Sequence, residues 1–401
     1  MKKEWGALKM RTKYAAILNL VEDERNLKPL TDRRPVASLP FATRYRLIDF
    51  PFSSLSNAKI KSAALFISGT GRSLYDHIRS GINWGLDNFV GGGVFTHSQI
   101  DLKASLEDRE EYMADYYYDH RNYLKRSKAK YVILTGSRVL ANLQIDSMAN
   151  FHEDKNSDIT VAYKKIAQNE VKEETIFSGY RIAENPEKNI EEVFPLKGYS
   201  GDDEPVAFGL DFMIANMDVM MHYLDKLEEK SVFVSVENIL RMAIEEGNKN
   251  VVGYEYTGYM KAIEDIKSYF DAHMDMLDEN KFNALFYRES PVLTKSKNSA
   301  PTYYGEHSVV KNSLIANDSE IYGVVEDSLI SRKNLITQDT TVNNSIILQN
   351  CFIDEGAELE YVILDKLVHV EKGAKLSGTP DNPLVVGKEC RVLSNGDIVE
   401  G

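Results

Sequence analysis

The 401-residue sequence has few cysteines and no long apolar run. Its two cysteines, Cys351 and Cys390, are too few for a disulfide framework and fit a reducing compartment, so we expect a cytoplasmic protein. No run approaches the roughly 18 apolar residues of a membrane span, so no membrane association is expected. The first residues, MKKEWGALKMRT, lack the apolar segment of a signal peptide, and we interpret residues 1–13 as a mobile leader.

Positive charge is also in deficit. The chain holds 48 lysines and arginines against 61 aspartates and glutamates, a formal net charge of −13. Such a surface does not attract nucleic acid or an anionic membrane, so neither is expected as a partner. Small anions remain possible ligands, because they need only a local basic pocket.

Residues 14–288 alternate short apolar runs with amphipathic stretches, which predicts a mostly parallel sheet covered by helices. In such a sheet the ligand lies beyond the carboxyl ends of the strands, so the loop after Leu18 is where a nucleotide would bind. That loop, Asn19–Arg25, contains no glycine and carries acids at Glu22, Asp23 and Glu24. Phosphates need closely approaching amides and positive charge, and this loop offers neither. The predicted strands are Tyr14–Leu18, Ala63–Ile67, Tyr131–Thr135, Asp158–Tyr163 and Val206–Ile214.

The C-terminal part has a different period. Lys261–Asp278 is predicted as one amphipathic helix, and residues 289–304 as a linker rich in Lys, Ser, Asn and Pro. From residue 305 to 401 aliphatic residues recur every six positions, as at Ile330, Ile336 and Val342. This repeat predicts a left-handed parallel β-helix with the aliphatic residues pointing into its core.

Several motifs then identify a family. The segments Ser38–Phe41, Tyr45–Phe50 (YRLIDF), Tyr131–Gly136 and Ile363–Lys366 resemble those of bacterial glucose-1-phosphate adenylyltransferases, the ADP-glucose pyrophosphorylases of glycogen synthesis. The resemblance implies a nucleotidyltransferase-like, Rossmann-like α/β domain followed by a left-handed β-helix. It also implies a reaction of ATP with glucose 1-phosphate that depends on Mg²⁺ held by carboxylates.

The departures from this family fall on its chemistry. The family's metal-binding aspartate corresponds to Ser137, and its second metal aspartate falls near Val234–Asn238. Its glucose-phosphate motif, Glu-Lys-Pro, falls near Pro195–Lys197, and the serine that follows it corresponds to Ala207. A retained family signature without these residues resembles the GlgD-type subunits, which accompany a catalytic subunit.

The resemblance implies a regulatory subunit that keeps no catalytic residue, no metal site and no cofactor of its own. Mg²⁺ would belong to the catalytic glucose-1-phosphate adenylyltransferase subunit, its partner in a hetero-oligomer expected to be a tetramer. One alternative is an active sugar-phosphate nucleotidyltransferase with an altered residue set, such as Arg25, Asp115 and Glu237. Another is a hexapeptide acyltransferase, although the coils hold only His307 and His369 and no long inserted loop for an acyl carrier.

Three arginines are candidates for binding an anionic effector. Arg33, Arg34 and Arg46 lie where the family places basic residues that bind such effectors, and they suit a phosphate or sugar phosphate. The alternative is a basic loop neutralised by nearby acids, namely Asp32, Asp49 and Glu22–Glu24.

Overall fold

The computed structural model describes residues 13–67, 71–86, 92–98, 109–201, 205–287 and 290–400. The predicted leader therefore lies outside the described residues, except for Lys13. The chain forms two compact units whose boundaries differ from the domain ranges inferred from the sequence. The first unit comprises Met1–Glu22, Phe50–Met260 and Glu289–Leu293, and the second Asp23–Asp49, Lys261–Arg288 and Thr294–Gly401.

The first unit is built on a central sheet. Its strands follow the order β10-β9-β11-β6-β1-β4-β5, with β8 and β12 joined to it through β11. Strand β1 lies parallel to both β4 and β6 and is buried along almost its whole length, as expected for a strand with both faces covered. The strands that precede the β-helix are β1 (Tyr14–Leu20), β2 (Pro40–Phe41), β3 (Tyr45–Arg46), β4 (Ser62–Ile67), β5 (Gly93–Ser98), β6 (Tyr131–Thr135), β7 (Val139–Ala141), β8 (Ile159–Ile166), β9 (Ser178–Ile182), β10 (Ile190–Pro195), β11 (Val206–Asn216), β12 (Val251–Glu255) and β13 (Met260–Ala262).

The prediction of a mostly parallel sheet is wrong, because the sheet is mixed. Strand β11 runs antiparallel to β6, β8 and β9, and β9 and β10 form an antiparallel pair. Strands β8, β9, β10 and β11 follow one another along the chain with no α-helix among the described residues between them, whereas consecutive parallel strands require a crossover connection, which is usually a helix. All five predicted strands are present, whereas β5, β9, β10 and β12 were not predicted.

Helices cover the sheet through apolar side chains. Tyr223 and Leu224 of one helix and Ile239 and Leu240 of the next are fully buried in the same core as Val132 of β6. Among the described residues no helix is both long and apolar enough to cross a membrane. The α-helices are α1 (Asp49–Asn57), α2 (Arg72–Ile78), α3 (Arg109–Ser127), α4 (Ile145–Asp154), α5 (Met217–Glu229), α6 (Val236–Glu246), α7 (Ile266–Met274) and α8 (Glu279–Phe286), and short 3₁₀ turns occupy Arg25–Leu27, Val36–Ser38, Ile82–Trp84, Gln168–Glu170 and Asp275–Leu277.

The prediction of a single helix over Lys261–Asp278 is wrong at both ends, because the helix spans only Ile266–Met274. The Asp265 carboxylate accepts the backbone N–H of Ser268 at 2.7 Å, in a capping box that starts α7 at Ile266. The helix then tightens into the Asp275–Leu277 turn, and Asp278 caps the following helix, α8. The apolar periodicity is real, but these caps divide the segment.

The left-handed parallel β-helix is present in the second unit. Its strands form three sheets, and each strand pairs in parallel with the equivalent strand of the next coil. The aliphatic residues of the six-residue repeat, such as Ile336, Ile353 and Val370, are fully buried, and Cys351 is a buried small residue among them. The strands are β14 (Tyr303–Tyr304), β15 (Val309–Lys311), β16 (Leu314–Ile315), β17 (Glu320–Ile321), β18 (Val324–Glu326), β19 (Leu329–Ile330), β20 (Leu335–Ile336), β21 (Thr341–Asn343), β22 (Ile346–Ile347), β23 (Phe352–Ile353), β24 (Glu358–Glu360), β25 (Val362–Leu364), β26 (His369–Val370), β27 (Lys375–Ser377), β28 (Leu384–Val386), β29 (Cys390–Val392) and the antiparallel β30 (Ile398–Glu400).

The sheet β16-β19-β22-β25-β28 is apolar on its outward face as well. Adjacent strands align Leu329 with Ile346 and Ile346 with Ile363, and all three side chains are buried. On the sheet β15-β18-β21-β24-β27 the outward positions include ion pairs such as Lys375 with Glu358. The two sheets therefore face different surroundings.

Candidate functional site

The nucleotide-binding edge of the sheet is the first site to test. Because β1 and β6 are parallel neighbours with Leu18 beside Thr135, the loops that follow them emerge at the same edge. Ser137, at the position of the family's metal-binding aspartate, donates its backbone N–H to Oε1 of Glu22 at 2.8 Å. Its hydroxyl also donates to Glu22, at 2.8 Å to Oε2 and 3.1 Å to Oε1. The residue that would bind a cation is thus a hydrogen-bond donor to a carboxylate.

The segment in which the resemblance places the second metal ligand forms a helix cap. The Ser235 hydroxyl accepts the backbone N–H of Asn238 at 3.1 Å, which starts α6 at Val236. The Glu237 carboxylate is bound by Arg241, at 2.9 Å from Nε and 2.7 Å from Nη2. These contacts stabilise the first turn of a helix. The segment Val234–Asn238 contains no aspartate.

The sugar-phosphate region is apolar where the family has charge. Leu196 is fully buried, and Ala207 lies in the core of the first unit. Lys197 pairs with Glu174 at the surface. None of these three residues supplies the acid, base and hydroxyl that the family's motif would require.

Two of the three residues suggested for the alternative active enzyme, Arg25 and Glu237, are bound to other side chains. The Arg25 guanidinium binds the Asp23 carboxylate through Nε at 3.0 Å, and Glu237 is held by Arg241. Asp115 belongs to α3, but its side chain lies outside the described residues. Across the ranges that the structure describes, no group of three or more His, Cys, Asp or Glu side chains is arranged to hold a metal ion.

The second unit contains the three arginines predicted to bind an anion. Arg33 forms an exposed ion pair with Glu389. Arg34 is buried, and its Nη2 donates to both carboxylate oxygens of Asp365, at 2.6 and 2.5 Å. Arg46 lies on β3, where its backbone N–H donates to Asp49 at 3.0 Å. Arg33 and Arg34 are therefore bound to Glu389 and Asp365, which are not the acids considered from the sequence.

Arg46 interacts electrostatically with two lysines, Lys366 and Lys297. Burial, together with the nearby Arg46 and Arg34, lowers the pKa of Lys366 to about 7. Desolvation, together with Arg332 and Arg46, lowers the pKa of Lys297 to about 8. Lysine pKa values fall in this way when several cations share a poorly solvated region. We call Arg34, Arg46, Lys297, Arg332 and Lys366 the basic cluster.

Arg34 contributes a further feature to the basic cluster. Its Nη1 is buried and has no hydrogen-bond partner within the part of the chain that the structure describes. A buried donor of this kind carries an energetic cost until an acceptor reaches it.

Three members of the basic cluster were not predicted from the sequence. Lys366 stands next to Asp365 in a segment that carries the family resemblance, and Lys297 lies in the lysine-containing segment that was interpreted only as a linker. The sequence shows that both segments contain lysine. It does not show that the two segments lie close together in the folded chain.

Comparisons with known proteins agree with this architecture. Residues 25–184 match the model of the nucleotidyl transferase family, and residues 299–382 match that of the GlmU-like C-terminal hexapeptide family. The chain is 31% identical to the glycogen biosynthesis protein GlgD of Geobacillus stearothermophilus, covering 94% of this chain and 97% of that protein. It is 29% identical to GlgD of Bacillus subtilis, with 91% and 93% covered. A glucose-1-phosphate adenylyltransferase of Thermodesulfovibrio yellowstonii is 28% identical, with 87% of both chains covered.

Fold and matches together define a nucleotidyltransferase-like protein with a hexapeptide β-helix. Within that class, the chain belongs to the glucose-1-phosphate adenylyltransferase family, as a member of its GlgD type. The family's role is in glycogen biosynthesis.

Proposed function

We propose that this chain is a regulatory GlgD-type subunit that modulates a catalytic glucose-1-phosphate adenylyltransferase and has little or no activity alone. The partner would form ADP-glucose and pyrophosphate from ATP and glucose 1-phosphate. The observation that carries the proposal is the contact between Ser137 and Glu22, because the reaction needs a carboxylate on Mg²⁺ at the position of Ser137.

We infer that Glu22 does not replace the metal ligand expected at the position of Ser137. Both of its oxygens accept hydrogen bonds from Ser137. Burial raises the pKa of Glu22, and the nearby Arg138 guanidinium offsets only part of that rise. A guanidinium beside the carboxylate repels a divalent cation. The apolar Leu196 and Ala207 support the same conclusion, since they offer nothing to a sugar phosphate.

Regulation would act through the equilibrium between states of a hetero-oligomer, expected to be a tetramer. A subunit without catalysis can still change its partner's activity if it contacts the partner differently in two conformations. We propose that an anionic effector, a phosphate or sugar phosphate, binds at the basic cluster and biases that equilibrium. The low pKa of Lys366 and the buried Nη1 of Arg34 support this, because a bound anion would stabilise the lysine's charge and accept the unpaired N–H.

One mixing experiment tests the proposal. The chain is purified alone and with a catalytic subunit, and ADP-glucose formation is measured with Mg²⁺ across a titration of one against the other. We expect turnover by the chain alone to be about 100-fold or more below that of the catalytic subunit, since a metal contributes several kcal/mol to such a step. We also expect co-elution and a changed effector response in the mixture.

Two results would contradict the proposal. Turnover comparable with a catalytic subunit would favour the active-enzyme alternative. Absence of co-elution, with an unchanged effector response, would remove the regulatory role. The acyltransferase alternative is tested by His369→Ala, which breaks the 3.0 Å contact with Asp354 and should change neither activation nor co-elution.

A further inference from the structure

The carboxyl end of β6 carries a group of donors that converge on one carboxylate. The backbone N–H and the hydroxyl of Ser137 donate to Glu22, and the backbone N–H of Arg138 also donates to it. The Arg138 guanidinium adds positive charge at the same place. Successive amides that point at one anion form a nest, a recurring anion-binding arrangement. We call the amides of Ser137 and Arg138, the Ser137 hydroxyl and the Arg138 guanidinium the β6 nest.

The absence of a side chain at Gly136 makes room for a second acid. A Cβ on Gly136 would collide with Oδ2 of Asp211 and lie 3.2 Å from Oε1 of Glu22, so only glycine allows both carboxylates to approach here. Asp211 has φ of 49° and lies in the irregular part of β11 between Gly209 and Met213. Burial, together with Glu22, raises the pKa of Asp211 to about 7. A protonated Asp211 would be a further donor for an oxyanion in the nest.

We propose that the β6 nest is a binding site for a small oxyanion, a phosphate or a carboxylate, and that the chain's own Glu22 occupies it as a displaceable internal ligand. The proposed ligand is negatively charged, whereas the family resemblance implies a positively charged metal ion at this position. A small cavity of about 20 Å³, lined by Pro51, Ser54, Gly136 and Asp211 among others, lies beside the nest. An entering anion would replace the Glu22 carboxylate on the same donors, and no covalent step is involved.

The competing explanation is that Glu22 is a permanent anchor for the loop after β1. Both explanations predict that removing Glu22 destabilises the chain, because the Ser137 amide would lose its acceptor. They differ in whether an added anion binds once the nest has been vacated. Binding is therefore the quantity to measure.

The experiment is calorimetry on the full chain with inorganic phosphate and, separately, acetate. Glu22→Ala and Glu22→Ser vacate the nest, and the second variant keeps a small polar side chain should the first fail to fold. Glu22→Gln removes the charge but keeps the volume, and serves as the matched control. We expect at least about 10-fold tighter binding in the vacating variants than in the wild type or Glu22→Gln, equivalent to one displaced carboxylate contact.

Adding Arg138→Gln to the Ala variant should abolish the gain. The anion with the larger gain identifies whether the nest prefers a phosphoryl or a carboxylate group. Equal affinities in all chains, or a gain that survives Arg138→Gln, would overturn the proposal. The basic cluster is unchanged in every variant, so the difference reports the nest alone. A negative result in this binding experiment would not contradict the regulatory proposal, which is tested separately by mixing the chain with a catalytic subunit.

Discussion

Arg34 and Asp365 are 331 residues apart in sequence and form an ion pair in which both side chains are almost completely buried. The pair ties the segment before Val36 to the end of β25, both within the second unit. Removing two charges from water is costly, and their mutual attraction offsets that cost only while both partners remain. The pair also holds Arg34 in position, and its buried Nη1 has no hydrogen-bond partner among the described residues.

Asp365→Asn should therefore be strongly destabilising. The substitution leaves a buried guanidinium without a counter-charge, and breaking such a pair costs about 3–5 kcal/mol. Urea unfolding measures the change. The double variant Arg34→Met with Asp365→Asn should recover much of the loss, because it removes the uncompensated charge.

The exposed pair of Arg33 with Glu389 is the matched control. Glu389→Gln should change the urea midpoint little, since exposed ion pairs contribute weakly. A double variant no more stable than Asp365→Asn would show that the charge of Arg34 is not the cause.

Sulfate binding at the basic cluster should weaken as pH rises. Lys366 has a pKa of about 7 in the folded chain, so above that pH an anion can use its charge only if the lysine first takes up a proton. Sulfate does not titrate in this range, and it isolates the protein's contribution. We expect about 10-fold weaker binding at pH 8 than at pH 6, with proton uptake detectable by calorimetry in two buffers.

Lys366→Met should remove most of this pH dependence. The control is Lys372→Met, which alters an exposed lysine paired with Glu355. Sulfate affinity that is the same at both pH values in the wild type would contradict a role for Lys366.

Asp211→Asn should stabilise the protein, and more so at high pH. The pKa of Asp211 is about 7 in the folded chain and about 3.8 when unfolded, so its contribution to stability is complete below about pH 4 and lost as pH rises through 7. Asparagine does not ionise, so the variant does not lose stability as pH rises, and asparagine tolerates the φ of 49° at this position. We expect the gain in unfolding free energy to be about 2 kcal/mol larger at pH 8 than at pH 5.5.

Asp339→Asn provides the comparison for that measurement. Asp339 also has a positive φ, 57°, but its side chain is exposed. The same substitution there should have only a small effect on the free energy of unfolding. A pH-independent gain at Asp211 would mean that its ionisation does not limit stability.

Much of the fold follows from the sequence because its signals are local. The six-residue repeat specifies each inward position of the β-helix, and Ile336, Ile353 and Val370 are buried as predicted. Buried strands such as β1 are likewise visible as apolar runs. By contrast, β9 contains Arg181 and β10 contains Glu191 and Glu192. Because these charged residues interrupt the apolar pattern, neither strand was predicted.

The candidate sites depend on contacts that no local pattern encodes. The acids near Arg34 in sequence are Asp32 and Glu24, yet the partner of Arg34 is Asp365. From the sequence, Glu22 was interpreted as an obstacle to phosphate and as a possible counter-charge for the arginines, whereas in the structure it binds Ser137, at the position where the resemblance implied a metal ligand. The departures from the family's motifs were visible in the sequence, but the contacts that the substituted residues make were not.

The last prediction concerns the apolar outward face of the β-helix. Ile346 points away from the inner core that contains its neighbour Ile347, yet it is 1% exposed and aligned with the buried Leu329 and Ile363. Ile346→Lys should therefore cost about 3 kcal/mol or more, as burying an unpaired charge does, and should lower the urea midpoint clearly. Thr341→Lys, at an outward and partly exposed position beside Glu358, should have little effect. If both variants unfold at the same midpoint, the outward face of β22 is not part of the stabilising core.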